Sequence, residues 1–265
     1  MTDLRYPLHA AAREGRHDDL KSLLLCGLHD VNEATFELVR PLHEACFCGQ
    51  YECAALLIEH GANVNLSNID GGTALCDACC NGNLKIIELL LNSGANVNPP
   101  FLMTTPVHEA VFRDNWKCLE LLSKHGALLD KNDCHYGTPL HVAAYKGYIK
   151  SAEALLKAGA SPNVSKTHQT PLHEAARSQD LPLVHMLLEH GADVYARDSQ
   201  GCTARQLVPC STSLCKLYLQ EWERTPKTLR FHCRMVIRRA VDVKKLKCPM
   251  QLNLPKILVR FLQFE

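Results

Sequence analysis

Gly137-Thr138-Pro139-Leu140-His141-Val142-Ala143-Ala144 decides how the rest of the chain is read, because it recurs. Upstream stands Thr105-Pro106-Val107-His108-Glu109-Ala110, and downstream Thr170-Pro171-Leu172-His173-Glu174-Ala175-Ala176. Weaker copies are Pro7-Leu8-His9-Ala10-Ala11-Ala12, Pro41-Leu42-His43-Glu44-Ala45 and Thr73-Ala74-Leu75-Cys76-Asp77-Ala78. The equivalent positions 9, 43, 76, 108, 141 and 173 lie 34, 33, 32, 33 and 32 residues apart. A second register keeps the same period: Gly61-Ala62, Gly94-Ala95, Gly126-Ala127, Gly159-Ala160 and Gly191-Ala192. Two registers with one period mean a stacked array of units, none of which buries its apolar face alone.

Within one unit, Thr138 is placed to cap a helix and Pro139 sits where the first turn tolerates a missing N–H. Leu140, Ala143 and Ala144 fall on one helical face, and the alanines allow close approach of a neighbour. Gly147 ends this helix, a second one carries Ala154, Leu155 and Leu156, and Gly159 stops it. Asn163-Val164 then leads into a polar finger that returns to Thr170. The units run roughly 5–37, 38–70, 71–103, 104–135, 136–168 and 169–200. The first carries enough charge, from Arg13 to Asp19, to face water as a cap. A seventh begins in register at Thr203 and then loses the pattern.

These features resemble the ankyrin repeat, whose T-P-L-H-x-A core the chain repeats over roughly residues 5–206. The resemblance implies an all-α solenoid of helix–turn–helix repeats with β-turn fingers. In that family the core histidine bonds to backbone and ties neighbouring fingers. The two positions after the His-x-Ala-Ala core face a concave binding surface, which here places Phe47, Phe112, Arg113, Tyr145 and Lys146 on it. Exposed aromatics are typical anchors for a protein target. Pro99-Pro100-Phe101-Leu102-Met103 is unusually apolar for a finger. Phe101 is therefore a further target contact, or it folds back over the neighbouring helices.

Pro209 to Arg224 reads as a closing helix, with Leu214, Leu217, Tyr218 and Trp222 at helical spacing. Composition shifts after Pro226. Thr228 to Ala240 is an amphipathic helix with Thr228 as its cap, an apolar stripe of Leu229, Cys233, Ile237 and Ala240, and a basic stripe of Arg230, Arg234 and Arg238. Leu252 to Leu262 makes a short segment and a second helix. The T-L-x-x-x-C-x-x-x-I pattern resembles the first helix of a SOCS box. By that resemblance Leu229, Cys233 and Ile237 enter a groove on Elongin C, a helix-in-groove contact with anchors at i, i+4 and i+8. Leu254, Pro255, Leu258 and Leu262 match the end of the box that steers the choice of cullin, usually cullin-5. Phe261 replaces its Tyr, Asn253 its first Pro, and His232 a Leu often found before the Cys. The whole is similar to the ankyrin repeat and SOCS box family. Its boundaries are expected at 1–207 for the array, 208–225 for the closing helix and linker, and 226–265 for the SOCS box.

That resemblance implies a substrate-recognition adaptor of a cullin–RING ubiquitin ligase. Its partners would be Elongin B, Elongin C, cullin-5 with its RING subunit, and a protein target. The other reading of the same residues is an ankyrin scaffold or inhibitor without a ligase link. An enzyme or metal protein is disfavoured. The periodic His9, His43, His108, His141 and His173 lie one repeat apart and do not converge on one metal. The CxxC of Cys76 and Cys79 lacks a second pair at zinc spacing. No nucleophile, paired-carboxylate or phosphate-loop pattern is found, so no catalytic residue, cofactor or metal is expected.

The net charge of +1 gives no whole-molecule attraction to nucleic acid or anionic membrane. The basic stripe with Lys244, Lys245 and Lys247 is short and lacks interleaved aromatics, so it reads as a solvated face. No apolar run spans a bilayer, and Met1 to Arg5 opens without a signal-peptide core. Fourteen cysteines follow no secreted disulfide framework. Cys46 and Cys79 match Ala144, the small buried position, so reduced thiols in a cytoplasmic or nuclear protein are expected.

Overall fold

The computed structural model describes residues 5–100, 105–133, 135–210, 212–225 and 227–240. Two compact units divide the chain, Met1–Cys134 and His135–Glu265. Among the described residues all regular structure is helical, and the fingers contribute isolated antiparallel bridges such as Ser67 with Thr73 and Arg197 with Thr203.

The first unit holds four helix pairs: α1 (Pro7–Glu14) and α2 (His17–Leu25), α3 (Pro41–Phe47) and α4 (Tyr51–Glu59), α5 (Ala74–Asn81) and α6 (Leu84–Asn92), α7 (Pro106–Phe112) and α8 (Trp116–Lys124). Odd helices stack on odd and even on even, with each pair also packed internally. The core follows from the repeat. Leu8, Ala11, Ala12, Leu42, Ala45, Cys46, Leu75, Ala78 and Cys79 from the first helices are buried, and Leu20, Leu57, Ile86, Ile87, Leu90 and Leu119 from the second meet them. Alanine and cysteine at the close-approach positions keep the first helices together, and burial raises the Cys46 and Cys79 thiol pKa well above its ordinary value.

The second unit contains α9 (Pro139–Lys146), α10 (Ile149–Ala158), α11 (Pro171–Ser178), α12 (Leu181–Glu189), α13 (Ala204–Leu207), α14 (Leu214–Arg224) and α15 (Leu229–Ala240). Here α9, α11 and α13 stack, as do α10, α12 and α14. Gly147 and Gly159 end α9 and α10 in the left-handed region, at φ 73° and 101°, as their sequence positions imply.

Within each compact unit two devices tie neighbouring repeats together. His141 Nδ1 accepts from the Thr138 N–H at 3.2 Å, and its Nε2 donates to the Gln169 carbonyl at 3.0 Å. The same reach joins His9 to Val39 O, His43 to Gly72 O and His173 to Cys202 O. The second device is an asparagine ladder. Asn65 Nδ2 donates to Gly94 O at 3.0 Å while its Oδ1 accepts from Asn96 N–H at 2.7 Å. Asn32, Asn98 and Asn163 repeat this pair of bonds.

The closing helix departs from the sequence reading in two ways. It begins at Leu214 and not near Pro209. Its buried face carries Cys215 and Leu219, whereas Leu214 is 72% exposed and Leu217 is exposed too. The apolar residues at 214, 215, 217, 218, 219 and 222 wrap around more than half the helix, so spacing alone does not choose the inner face. Packing on α12 chooses it, with Tyr218 OH 2.6 Å from His185 Nδ1.

Candidate functional site: a tail helix and the exposed first-helix ends

The tail helix has two apolar faces, and among the described residues it packs through one of them. Thr228 caps it, its Oγ1 accepting from Phe231 N–H at 3.2 Å. Phe231 lies edge-on to Trp222 of α14 with ring centroids 6.0 Å apart, and Lys227 sits over the same indole at 3.5 Å. Trp222 continues to Tyr218 at 6.0 Å. One turn on, Met235 Sδ stands 2.5 Å from where a Cβ on Gly191 would be, so any side chain there would displace the thioether. Phe231 and Met235, four apart, are therefore the face that packs on the second unit. Leu229, Cys233 and Ile237 are exposed, Leu229 at 79%, and Val236 is exposed beside them. The sequence stripe at 229, 233 and 237 is thus the exposed face of the helix among the described residues. Sequence spacing does not reveal the packing face, because charged and polar residues interrupt Phe231 and Met235.

The residues read as target contacts are placed as follows. In the first unit, Phe47 is exposed at the end of α3, with Asn81 Nδ2 donating to its carbonyl at 3.0 Å. Phe112 is half-buried, its ring 6.5 Å from that of His108, and Arg113 follows it, exposed. In the second unit, Tyr145 and Lys146 are exposed at the end of α9, with the ammonium 5.9 Å from the ring centroid. Phe101 and the cullin-directed Leu254, Pro255, Leu258 and Leu262 lie outside the described residues.

Beside Phe47 and Phe112 the first unit holds a row of carboxylates. Asp77 of α5 lies between Glu44 of α3 and Glu109 of α7, and burial, followed by those two charges, raises its pKa to about 8. Glu44 has a cation, accepting Arg13 Nε at 2.9 Å and Nη2 at 2.5 Å. Among the described residues no group of three His, Cys, Asp or Glu is arranged to hold a metal ion.

Comparison with known proteins separates the two parts. A family model described as ankyrin repeats (3 copies) matches residues 8–101 and 99–166, and a single ankyrin repeat matches 167–199. The SOCS box model matches residues 225–263. The crystal structure of the human ASB11 ankyrin repeat domain superposes with a TM-score of 0.76 at 36% identity, covering 83% of this chain and 99% of that one. The chain belongs to the ankyrin repeat and SOCS box family. Mouse ankyrin repeat and SOCS box protein 9 is 40% identical over 165 residues, 62% of this chain and 56% of that protein. Human ankyrin repeat and SOCS box protein 11 is 36% identical over 164 residues, 62% of this chain and 50% of its own length. This family member thus spans about half the length of the curated relatives it matches. The ankyrin repeat domain of Bcl-3 superposes with a TM-score of 0.71 at 25% identity, over 80% of this chain and 97% of that one. In this ankyrin repeat and SOCS box protein the exposed Leu229, Cys233 and Ile237 all fall inside the SOCS box match.

Proposed function

We propose that this chain is a non-catalytic substrate-recognition adaptor of a cullin–RING ubiquitin ligase. The ankyrin repeats hold a protein target, and the SOCS box docks on Elongin B and Elongin C and on a cullin, cullin-5 with its RING subunit. The observation that carries the reading is the division of α15. Phe231 and Met235 pack on the chain's own Trp222 and Gly191, while Leu229, Cys233 and Ile237 stay exposed. An amphipathic helix with an unused apolar stripe at i, i+4 and i+8 suits a groove on another protein. Leu229 is the deep anchor, Cys233 the small residue for a tight pocket and Ile237 the third contact. Leu254, Pro255, Leu258 and Leu262 take the cullin side. Phe47, Phe101, Phe112, Arg113, Tyr145 and Lys146 are the proposed target contacts.

The physical contribution of such an adaptor is proximity. A target lysine held near a charged conjugating enzyme reacts as though the step were intramolecular. The same reading places the chain in the cytoplasm or nucleus, in keeping with unpaired thiols at Cys46, Cys53, Cys76, Cys79 and Cys118. Co-expression with Elongin B and C tests it. A stable ternary complex is expected, abolished by Leu229→Ser with Cys233→Arg while the thermal unfolding midpoint stays put. A complex that survives this double substitution would reject the adaptor reading and leave a binding module.

A further inference from the structure

Apolar side chains are also exposed far from the tail, on the first two fingers of the first unit. Phe36 is 92% exposed, as much as in an extended chain, and Leu38 and Ile69 are exposed beside it. They are neighbours by construction. Ile69 N–H donates to Glu37 O at 3.0 Å, across the two fingers. Arg40 Nη1 donates to Leu38 O at 2.8 Å and to Ser67 O at 2.9 Å, closing the same gap from the other side. We infer that these two fingertips form a docking surface for a protein segment whose apolar side chains are flanked by lysine or arginine.

The surface is held in shape. In the first finger Leu38 N–H donates to Thr35 O, Thr35 N–H to Val39 O, and Val39 N–H to Thr35 Oγ1. That turn keeps Leu38 at φ 57°, a left-handed conformation that a branched apolar residue seldom adopts. Such strain persists only where the surroundings enforce it, and it collects at binding sites. In the second finger Asn68 Oδ1 accepts from Asp70 N–H at 3.1 Å and Gly72 N–H at 2.7 Å, fixing the tip that carries Ile69. A rigid apolar patch loses little entropy on binding.

The charge around it selects the occupant. Residues 28–40 and 62–73 contain Asp30, Glu33, Glu37 and Asp70 against Arg40, whose guanidinium is committed to two backbone carbonyls, and His29, 3.8 Å from Glu33. The second unit's fingers balance Lys166 and Arg197 with Asp193 and Asp198 and carry no such acidic excess. A basic rim on the partner would meet these carboxylates, whereas a second copy of this chain would set like charges against each other. The site stands apart from the SOCS-box reading and survives if that reading fails.

The test uses the full chain and a phage-displayed library of random peptides. Enriched peptides should carry two apolar side chains flanked by lysine or arginine. A labelled synthetic copy should lose about tenfold in affinity, read by fluorescence anisotropy, on Phe36→Ser with Ile69→Ser. Glu37→Lys with Asp70→Lys should weaken it similarly at low salt and much less at high salt. The charge-reversal pair leaves the apolar side chains in place and decides the matter should the serine pair lose its fold. Absence of enrichment, selected peptides without basic residues, or binding untouched by both pairs would overturn the assignment. So would a dimer in sedimentation that Phe36→Ser with Ile69→Ser dissolves, since the occupant would then be a second copy.

Discussion

His141 Nε2 lies 3.0 Å from the carbonyl oxygen of Gln169, and the same ring accepts the Thr138 N–H at its other nitrogen. An amide N–H only donates and a carbonyl only accepts, so Nδ1 is bare and Nε2 carries the proton. The neutral imidazole therefore serves both ties, and a second proton on Nδ1 would end the bond from the Thr138 N–H and leave only Thr138 Oγ1, at 2.8 Å, to accept it. The same arrangement at His43 spans Arg40 N–H and Gly72 O.

Acid should therefore loosen the stack. Burial lowers the pKa of His9 and His141, and pushes His43 from 6.5 down to about 4. Between those two values the unfolded chain binds the proton that the folded chain refuses. His43's contribution is complete above about pH 6.5 and is lost as pH falls toward 4, by about 3 kcal/mol at most. From pH 7.5 to 4.5 the urea midpoint of the wild type should drop relative to that of His43→Gln. Parallel profiles for the two proteins would remove the histidine from the account.

Asp77 titrates in the opposite sense. Its pKa, raised to about 8 by burial and then by Glu109 and Glu44, makes the folded state bind the extra proton from about pH 3.8 to 8. Its effect on stability is most favourable at the acid end and worsens as pH rises through that window. Asp77→Asn reproduces the protonated side chain. It should stabilise the protein by about 1–2 kcal/mol at pH 7.5, with the gain vanishing toward pH 4. A destabilised variant at pH 7.5 would mean that the carboxylate has a partner worth more than its burial costs.

The repeat made most of the architecture legible. Pro139 and Gly147 mark the ends of α9 as the residue types imply, and Cys46 and Cys79 are buried where the register wanted a small residue. The asparagine ladder was visible as Asn32, Asn65, Asn98 and Asn163 at the repeat period, but a polar residue near a turn does not announce a bond to the next unit. On α14 the sequence offered Leu214 and Leu217, and the structure buried Cys215 and Leu219. On α15 it offered the exposed stripe and hid the packing one. Periodicity finds apolar faces; it takes the neighbouring surface to say which face is covered.

The ladder makes its own prediction. Asn163 Nδ2 donates to Gly191 O at 2.9 Å, and its Oδ1 accepts from Asp193 N–H at 2.8 Å. Asn163→Asp keeps the acceptor and replaces the donor with an oxygen facing a carbonyl. A loss of about 1–3 kcal/mol is expected at pH 7.5, larger than that for a substitution of Lys157, whose ion pair with Glu153 is exposed. Equal unfolding midpoints for the wild type and Asn163→Asp would show that the ladder follows the stack and does not hold it.

The two faces of α15 should respond oppositely to substitution. Phe231 rests on Trp222, so Phe231→Ala removes an aromatic pair and should weaken the helix's attachment by about 1–2 kcal/mol. Amide exchange across residues 229–237 should then quicken, with α9 to α12 unchanged, because Phe231 and Trp222 meet at one end of the second unit. Leu229→Ser, on a side chain 79% exposed, should leave both exchange and thermal midpoint alone. On the proposed adaptor reading the order should reverse when capture of Elongin C is measured. Leu229→Ser should abolish capture, whereas Phe231→Ala should leave capture intact and loosen only the link between the captured partner and the ankyrin repeats. Were Phe231→Ala to abolish capture as completely as Leu229→Ser, the face turned toward Trp222 would be the one the partner needs.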